Sequence, residues 1–246
     1  MIQVPSVNEL LQAGAHFGHA SSKWHPKMKK FIFGARNGVH ILNLEETQKQ
    51  LEAAIAFAKK TALRGGTILF VGTKKQAAPL VEAAANSCKM PYVTNRWLGG
   101  TLTNFASIAQ QIRKFKDMKR RQEKGEHAKY TKFEQAKLLE EMALLEVKFG
   151  GMQEMNRIPD AIFIFDVRKD KTALQEALRR GMKIMALCDS NVDPTDMDFP
   201  IVANDDAAKT IDLIAKLIAS AVNEGREEWE SARARLGGTL VKPLAK

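Results

Sequence analysis

The chain has only two cysteines in 246 residues, Cys88 and Cys188. They form neither a CxxC pair nor a zinc-finger spacing, so buried free thiols in a reducing compartment are expected. No run of about 18 apolar residues occurs, which excludes a membrane-spanning helix. The opening "MIQVPSVNELLQAGAHFGH" has no basic stretch followed by an apolar one, so no secretory signal is read and a cytoplasmic location is expected. The signatures of common catalytic and nucleotide sites are missing too. "ILFVGTKKQ" follows a strand-like run with one glycine and two lysines, where a phosphate loop needs GxxxxGK[ST] or GxGxxG so that the backbone can approach phosphate. Lys74 and Lys75 read there as surface charges at a helix start. No serine sits in a GxSxG elbow, and neither cysteine has a base at a recognisable spacing.

What is present is a large basic α/β pattern. Hydrophobic residues make up 45%, enough for a substantial core. The net charge is +10, which points to nucleic acid or another polyanion, although a basic soluble enzyme would share it. "TILFVG", "AIFIFD" (161–166), "KIMALCD" (183–189) and "PIVAND" (200–205) are continuous apolar runs of the kind that strands buried on both faces require. "PYVT" reads as a short strand. Helical patterns fall between and around these runs: "EETQKQLEAAIAFAKKTALRGG", "KKQAAPLVEAAANSC", "KTALQEALRRG" and "DAAKTIDLIAKLIASAVNEG". Repeated strand–helix units predict a flavodoxin-like, doubly wound, mainly parallel sheet covered by helices on both faces. Ahead of it, "VNELLQAG" reads as a helix, and "FIFGARNGVHILNL" as a hairpin (Phe31–Phe33, Val39–Leu44) around Asn37–Gly38.

The stretch 105–155 interrupts the alternation. Phe105, Ile108, Ile112 and Phe115, then Leu138, Met142, Leu145 and Phe149, recur at heptad-like steps. They predict an inserted antiparallel α-helical coiled-coil arm, longer than ordinary connections. "NRWLGGTLTNF" is its hinge, with Gly99 and Gly100 permitting the turn and Thr103 or Asn104 capping the first helix. The domain reading is therefore a discontinuous α/β unit (1–104 and 156–225), the arm (105–155) and a charged extension (226–246).

Two stretches carry the positive charge. "SSKWHPKMKKFIFGARNG" holds Lys23, Lys27, Lys29, Lys30 and Arg36 without an acid, with Trp24 and Phe31 interleaved. Cationic side chains neutralise phosphates while aromatic faces offer stacking. Residues 105–137 carry ten Lys or Arg against four acids, with Arg113, Lys114, Lys116, Lys119, Arg120 and Arg121 clustered on the first arm helix. A solvated helix face also collects charge, but one-signed excess favours a polyanion. A metal reading is possible as well: His19, Asp189 and Asp205 would converge at strand C-terminal ends and could hold a structural divalent ion, against the alternative that the histidines simply pack.

"LLQAGAHFGH", "WHPKMKKFIFGARNGVHILNLEET", "ILFVGTKK", "PYVTNRWLGGTLTNF" and "RIPDAIFIFDVRKDKTALQEALRRGMKIMALCDSNVDP" resemble, in order, the bacterial small-subunit ribosomal protein S-two family. The resemblance implies a flavodoxin-like domain with a coiled-coil arm and a structural, non-enzymatic role in translation, within a ribonucleoprotein rather than as a homo-oligomer. It also implies a place at the head–body junction of the small subunit. The implied partners are small-subunit rRNA and neighbouring ribosomal proteins, including the mRNA-capturing protein S-one. Carried to this chain, the rRNA-facing candidates are Lys23, Trp24, His25, Lys27, Lys29, Lys30, Arg36, Asn37, Arg96, Trp97 and the arm residues Arg113 to Arg121. Trp97 is expected to pack more than to stack. The competing reading is a nucleotide-using α/β enzyme with a helical lid.

Overall fold

The computed structural model describes residues 3–235. Five strands form a wholly parallel sheet: β4 (Ile68–Val71), β5 (Tyr92–Val93), β6 (Ala161–Ile164), β7 (Lys183–Cys188) and β8 (Phe199–Val202). Their spatial order is β5-β4-β6-β7-β8, so the second strand in sequence lies outside the first. That is the flavodoxin-like order, with its switch point between β4 and β6. Every residue of β4 and of β6 is buried, which explains their unbroken apolar character. Alternation still sorts their side chains. Ile68, Phe70, Ala161 and Phe163 enter the core beneath α2 (Leu44–Leu63), α3 (Ala78–Ser87) and α7 (Ala208–Arg235). Leu69, Val71, Ile162 and Ile164 enter the opposite core, beneath α4 (Phe105–Glu123), α5 (Lys132–Phe149) and α6 (Lys171–Arg179).

The N-terminal segment adds a second sheet. After α1 (Val7–Ala13), closed by Gly14 at φ 80°, come β1 (Phe17–Ala20), β2 (Ile32–Arg36) and β3 (Val39–Leu42), antiparallel in the order β1-β3-β2. Asn37 and Gly38 both have positive φ, as a two-residue hairpin turn requires. β1 was not legible in the sequence, because "FGHA" is short, polar and contains glycine. Tertiary contact makes it a strand: it pairs with β3 at Phe17–Ile41 and Ala20–Val39, and between these His19 N donates to Ser190 Oγ at 2.8 Å. A Cβ at Gly18 would stand 2.9 Å from the same oxygen and 3.2 Å from the His40 carbonyl oxygen, so glycine eases the strand's close approach to β7's end.

The two expected apolar stripes on α4 and α5 both meet the second core. Ile108, Ile112, Phe115 and Met118 are buried there together with Leu145 and Phe149. α4 therefore covers a sheet face, as a crossover helix does, and α5 packs against it across the connection 124–131. The charged extension expected from residue 226 begins as a continuation of α7 to Arg235; residues 236–246 lie outside those described.

Candidate nucleic-acid interface and the crevice beside it

The three-stranded sheet and the 3-10 turns leading into it carry the first basic surface. Lys23, Lys29, Lys30 and Arg36 are exposed and form no ion pair among the described residues. Lys27 is already engaged, donating to Asp193 at 2.7 Å and to Thr195 at 3.0 Å, and this ammonium holds the Asp193 carboxyl well below the usual range. His25 works as a cap. Its Nδ1 accepts from Lys27 N at 3.3 Å, and its own N–H donates to Ser190 O at 2.8 Å. Asn37 forms the turn. Trp24 is half-exposed, with its ring 5.5 Å from that of His40.

The aromatic partner differs from the one expected. Phe31 is buried with Met28, Leu42 and Val202, whereas Phe33 is 81% exposed. Strict alternation would put both on one face. The strand expected from Phe31 begins one residue later: Phe31 ends a 3-10 turn (Pro26–Phe31), and β2 starts at Ile32, whose inward side chain leaves Phe33 outward by ordinary alternation. Phe31 is thus corrected from a stacking candidate to a core residue.

On α4, Lys114 pairs with Glu141, Lys116 with Glu154 at 3.3 Å, and Arg120 with Asp117 at 2.7 Å. Arg113, Lys119 and Arg121 have no ion-pair partner among the described residues, so half of the expected cluster keeps its charge for an external anion. At the arm's root Arg96 is exposed. Trp97 is not: it is buried, and its indole N–H donates to Glu176 Oε1 at 3.0 Å. A ring this deeply buried cannot stack on a base, so Trp97 leaves the interface. Neither Thr103 nor Asn104 caps α4 through its side chain: the Thr103 hydroxyl is committed to Glu176 at 3.1 Å, and Asn104 Oδ1 accepts from the Ser107 hydroxyl at 3.3 Å instead of from a backbone N–H.

The crevice at the strand C-termini brings His19, Asp189 and Asp205 together. His19 Nδ1 lies 3.0 Å from Asp189 Oδ2, and its Nε2 lies 3.6 Å from Asp206. His19, Asp205 and Asp206 offer ligand atoms within 4.8 Å of one another. One imidazole and two carboxylates fit a divalent ion in kind, with Asp189 orienting the imidazole. A cation of the chain itself already stands among them. Lys74, expected on the surface before a helix, is largely enclosed, 2.6 Å from Asp206, 3.0 Å from Asp205 and 3.5 Å from Asp166. Burial alone would lower its pKa, but these carboxylates raise it above the ordinary lysine value. Burial and the charges of Asp189 and Asp166 push Asp205 up to about 6. Hydrogen bonding to Asp189 raises His19. The crevice where a nucleotide phosphate would sit in this fold is lined by Asp166 and Asp205 together with Lys74, Arg168 and Lys169, and its acids are set against the chain's own Lys74.

The family model for Ribosomal protein S2 matches residues 10–225. The small ribosomal subunit protein uS2 of Aliarcobacter butzleri is 43% identical over 240 residues, covering 98% of this chain and 89% of its own. That of Chloroflexus aurantiacus is 44% identical over 231 residues, covering 94% and 97%. That of Coprothermobacter proteolyticus is 42% identical over 224 residues, covering 91% and 84%. A parallel sheet in flavodoxin-like order, an added helical pair and a match along nearly the whole chain agree: this protein belongs to the ribosomal protein S2 family.

Proposed function

We propose that the chain is a structural constituent of the small ribosomal subunit that binds small-subunit rRNA through two separated basic surfaces. The family is one of structural ribosomal components, not of enzymes. The finer reading places the protein at the head–body junction, where it helps recruit the mRNA-capturing protein S-one. The observation that carries rRNA binding is the distribution of unpaired cations. Lys23, Lys29, Lys30 and Arg36 on one surface, and Arg113, Lys119 and Arg121 on the other, have no ion-pair partner among the described residues. Lysine and arginine left unpaired on a folded surface are those able to neutralise phosphate, positioning the protein without reading sequence. Phe33, exposed beside the first set, supplies a face for an unstacked base. No helix among the described residues is long and apolar enough to cross a membrane.

The test is affinity for small-subunit rRNA across a salt series. Changing Lys23, Lys29, Lys30 and Arg36 to Gln is expected to reduce the slope of log affinity against log salt by about three units, and the Arg113/Lys119/Arg121 triple by about two. Wild-type slopes in both variants would refute the reading. The nucleotide-enzyme alternative has no glycine-rich phosphate loop in "ILFVGTKKQ" to support it; a rise in melting temperature with ATP, GTP or NAD would revive it.

A further inference from the structure

Glu176 is a buried carboxylate in the middle of α6, and its bonding partners all come from one loop. Its Oε1 accepts from Trp97 Nε1 at 3.0 Å and from Gly100 N at 2.8 Å. Its Oε2 accepts from Leu102 N at 2.9 Å, and from the Thr103 amide and hydroxyl at 3.1 Å each. One turn later Arg180 donates to the two intervening carbonyls, Nε to Leu102 O at 2.8 Å and Nη2 to Thr103 O at 3.2 Å. Burial would raise the Glu176 carboxyl, but the bonds from Trp97, Leu102, Thr103 and Gly100 bring it below the ordinary glutamate value. The loop thus wraps a side chain of its own protein as a backbone nest wraps an anion. It can do so because Gly100 takes φ 92°.

This loop ends where α4 begins, at Phe105, and α4 has no side-chain cap of its own. Its buried face rests on the second core, so the loop before Phe105 decides how the first turn enters that packing. We infer that Glu176 is the positioning residue for the arm: it sets the aim of α4, and so of Arg113, Lys119 and Arg121, without itself touching RNA. The inference rests on the proposed rRNA reading and adds how one of its two surfaces is held in place. The second hold, Asn95 Nδ2 donating to Val147 O at 2.9 Å, secures the returning helix α5; Ile108, Ile112, Phe115 and Met118 seat the face of α4 on the second core, and the clasp ties its first turn.

Glu176→Gln tests it. The amide would keep one acceptor but point N–H groups at the Leu102 and Thr103 donors. Two readouts are taken on the full chain: amide hydrogen exchange, and the salt dependence of affinity for small-subunit rRNA. Exchange at Gly100, Leu102 and Thr103 should accelerate by about tenfold or more, with Leu69 and Phe163 in the sheet unchanged. The salt slope should fall by about two units, as in the Arg113/Lys119/Arg121 triple variant. Trp97→Phe, which removes one donor and keeps a buried ring, should move both readouts the same way by less, and it carries the test if Glu176→Gln does not fold. Faster loop exchange with a wild-type slope would overturn the positioning role, and so would unchanged loop exchange. If the triple variant itself keeps the wild-type slope, the arm holds no phosphate, and the reading beneath the inference fails instead.

Discussion

Lys74 Nζ stands 3.0 Å from Asp205 Oδ1 and donates also to the Asp205 carbonyl at 2.9 Å, joining the loop after β4 to the loop after β8. With Asp206 at 2.6 Å and Asp166 at 3.5 Å, one ammonium offsets three carboxylates at the open end of the sheet. Lys74→Met keeps the stem's bulk and removes the charge. Stranding the buried acids should destabilise the protein by about 3 kcal/mol at pH 7, read from the urea midpoint. A loss under about 0.5 kcal/mol would mean that the crevice is neutralised some other way.

Acid should loosen the arm's root. The Glu176 pKa is lowered in the folded protein, so its contribution is fully present above the ordinary glutamate value and disappears as pH falls through the lowered one. Stability should therefore decline on acidification through and below the ordinary carboxylate range. In Glu176→Gln this part of the decline should be missing. Parallel acid limbs for the two proteins in pH-dependent urea unfolding would contradict the assignment.

Phe31 and Phe33 should behave oppositely despite being two residues apart. Phe31→Ala empties part of the small core around Met28 and Leu42 and should cost about 3 kcal/mol. Phe33→Ala removes an exposed ring and should change stability by no more than about 0.5 kcal/mol. Thermal denaturation of both variants separates the two, and equal losses would contradict the placing of Phe31 in the core and Phe33 outside it. If Phe33→Ala also weakens rRNA binding, the ring serves the interface.

Gly151 should tolerate no side chain. A Cβ there would collide with the Tyr92 carbonyl oxygen and stand 2.6 Å from the Tyr92 ring, where α5's end passes the edge strand β5. Backbone cannot yield cheaply, so Gly151→Ala should cost about 2 kcal/mol by overpacking. A wild-type melting temperature would show that the crossing yields to a methyl group.

The α/β class was readable because strands buried on both faces must be apolar throughout, and "ILFV" and "AIFI" have no other economical use between helical patterns. The arm's stripes were readable because helical spacing is local. The basic candidates were visible as charges, but not which of them were available: Lys27, Lys114, Lys116 and Arg120 find acids between 3 and 166 positions away in sequence. Trp97 illustrates the same limit. Beside Arg96 and two glycines it could be read as an exposed stacking ring or as a packed one, and the partner that buries it lies on α6.

Composition and periodicity by themselves determined the layers, the parallel sheet and the excess of positive charge, since burial and helix or strand spacing are properties of neighbouring residues. Tertiary structure alone decided the rest: that β1 is a strand, that Phe31 ends a 3-10 turn packed on Val202 while Phe33 is exposed, that Lys74 lies among carboxylates, and that Glu176 gathers the arm's root. Each of these depends on groups brought together from distant parts of the chain, where the strength of a contact follows distance and burial rather than sequence order.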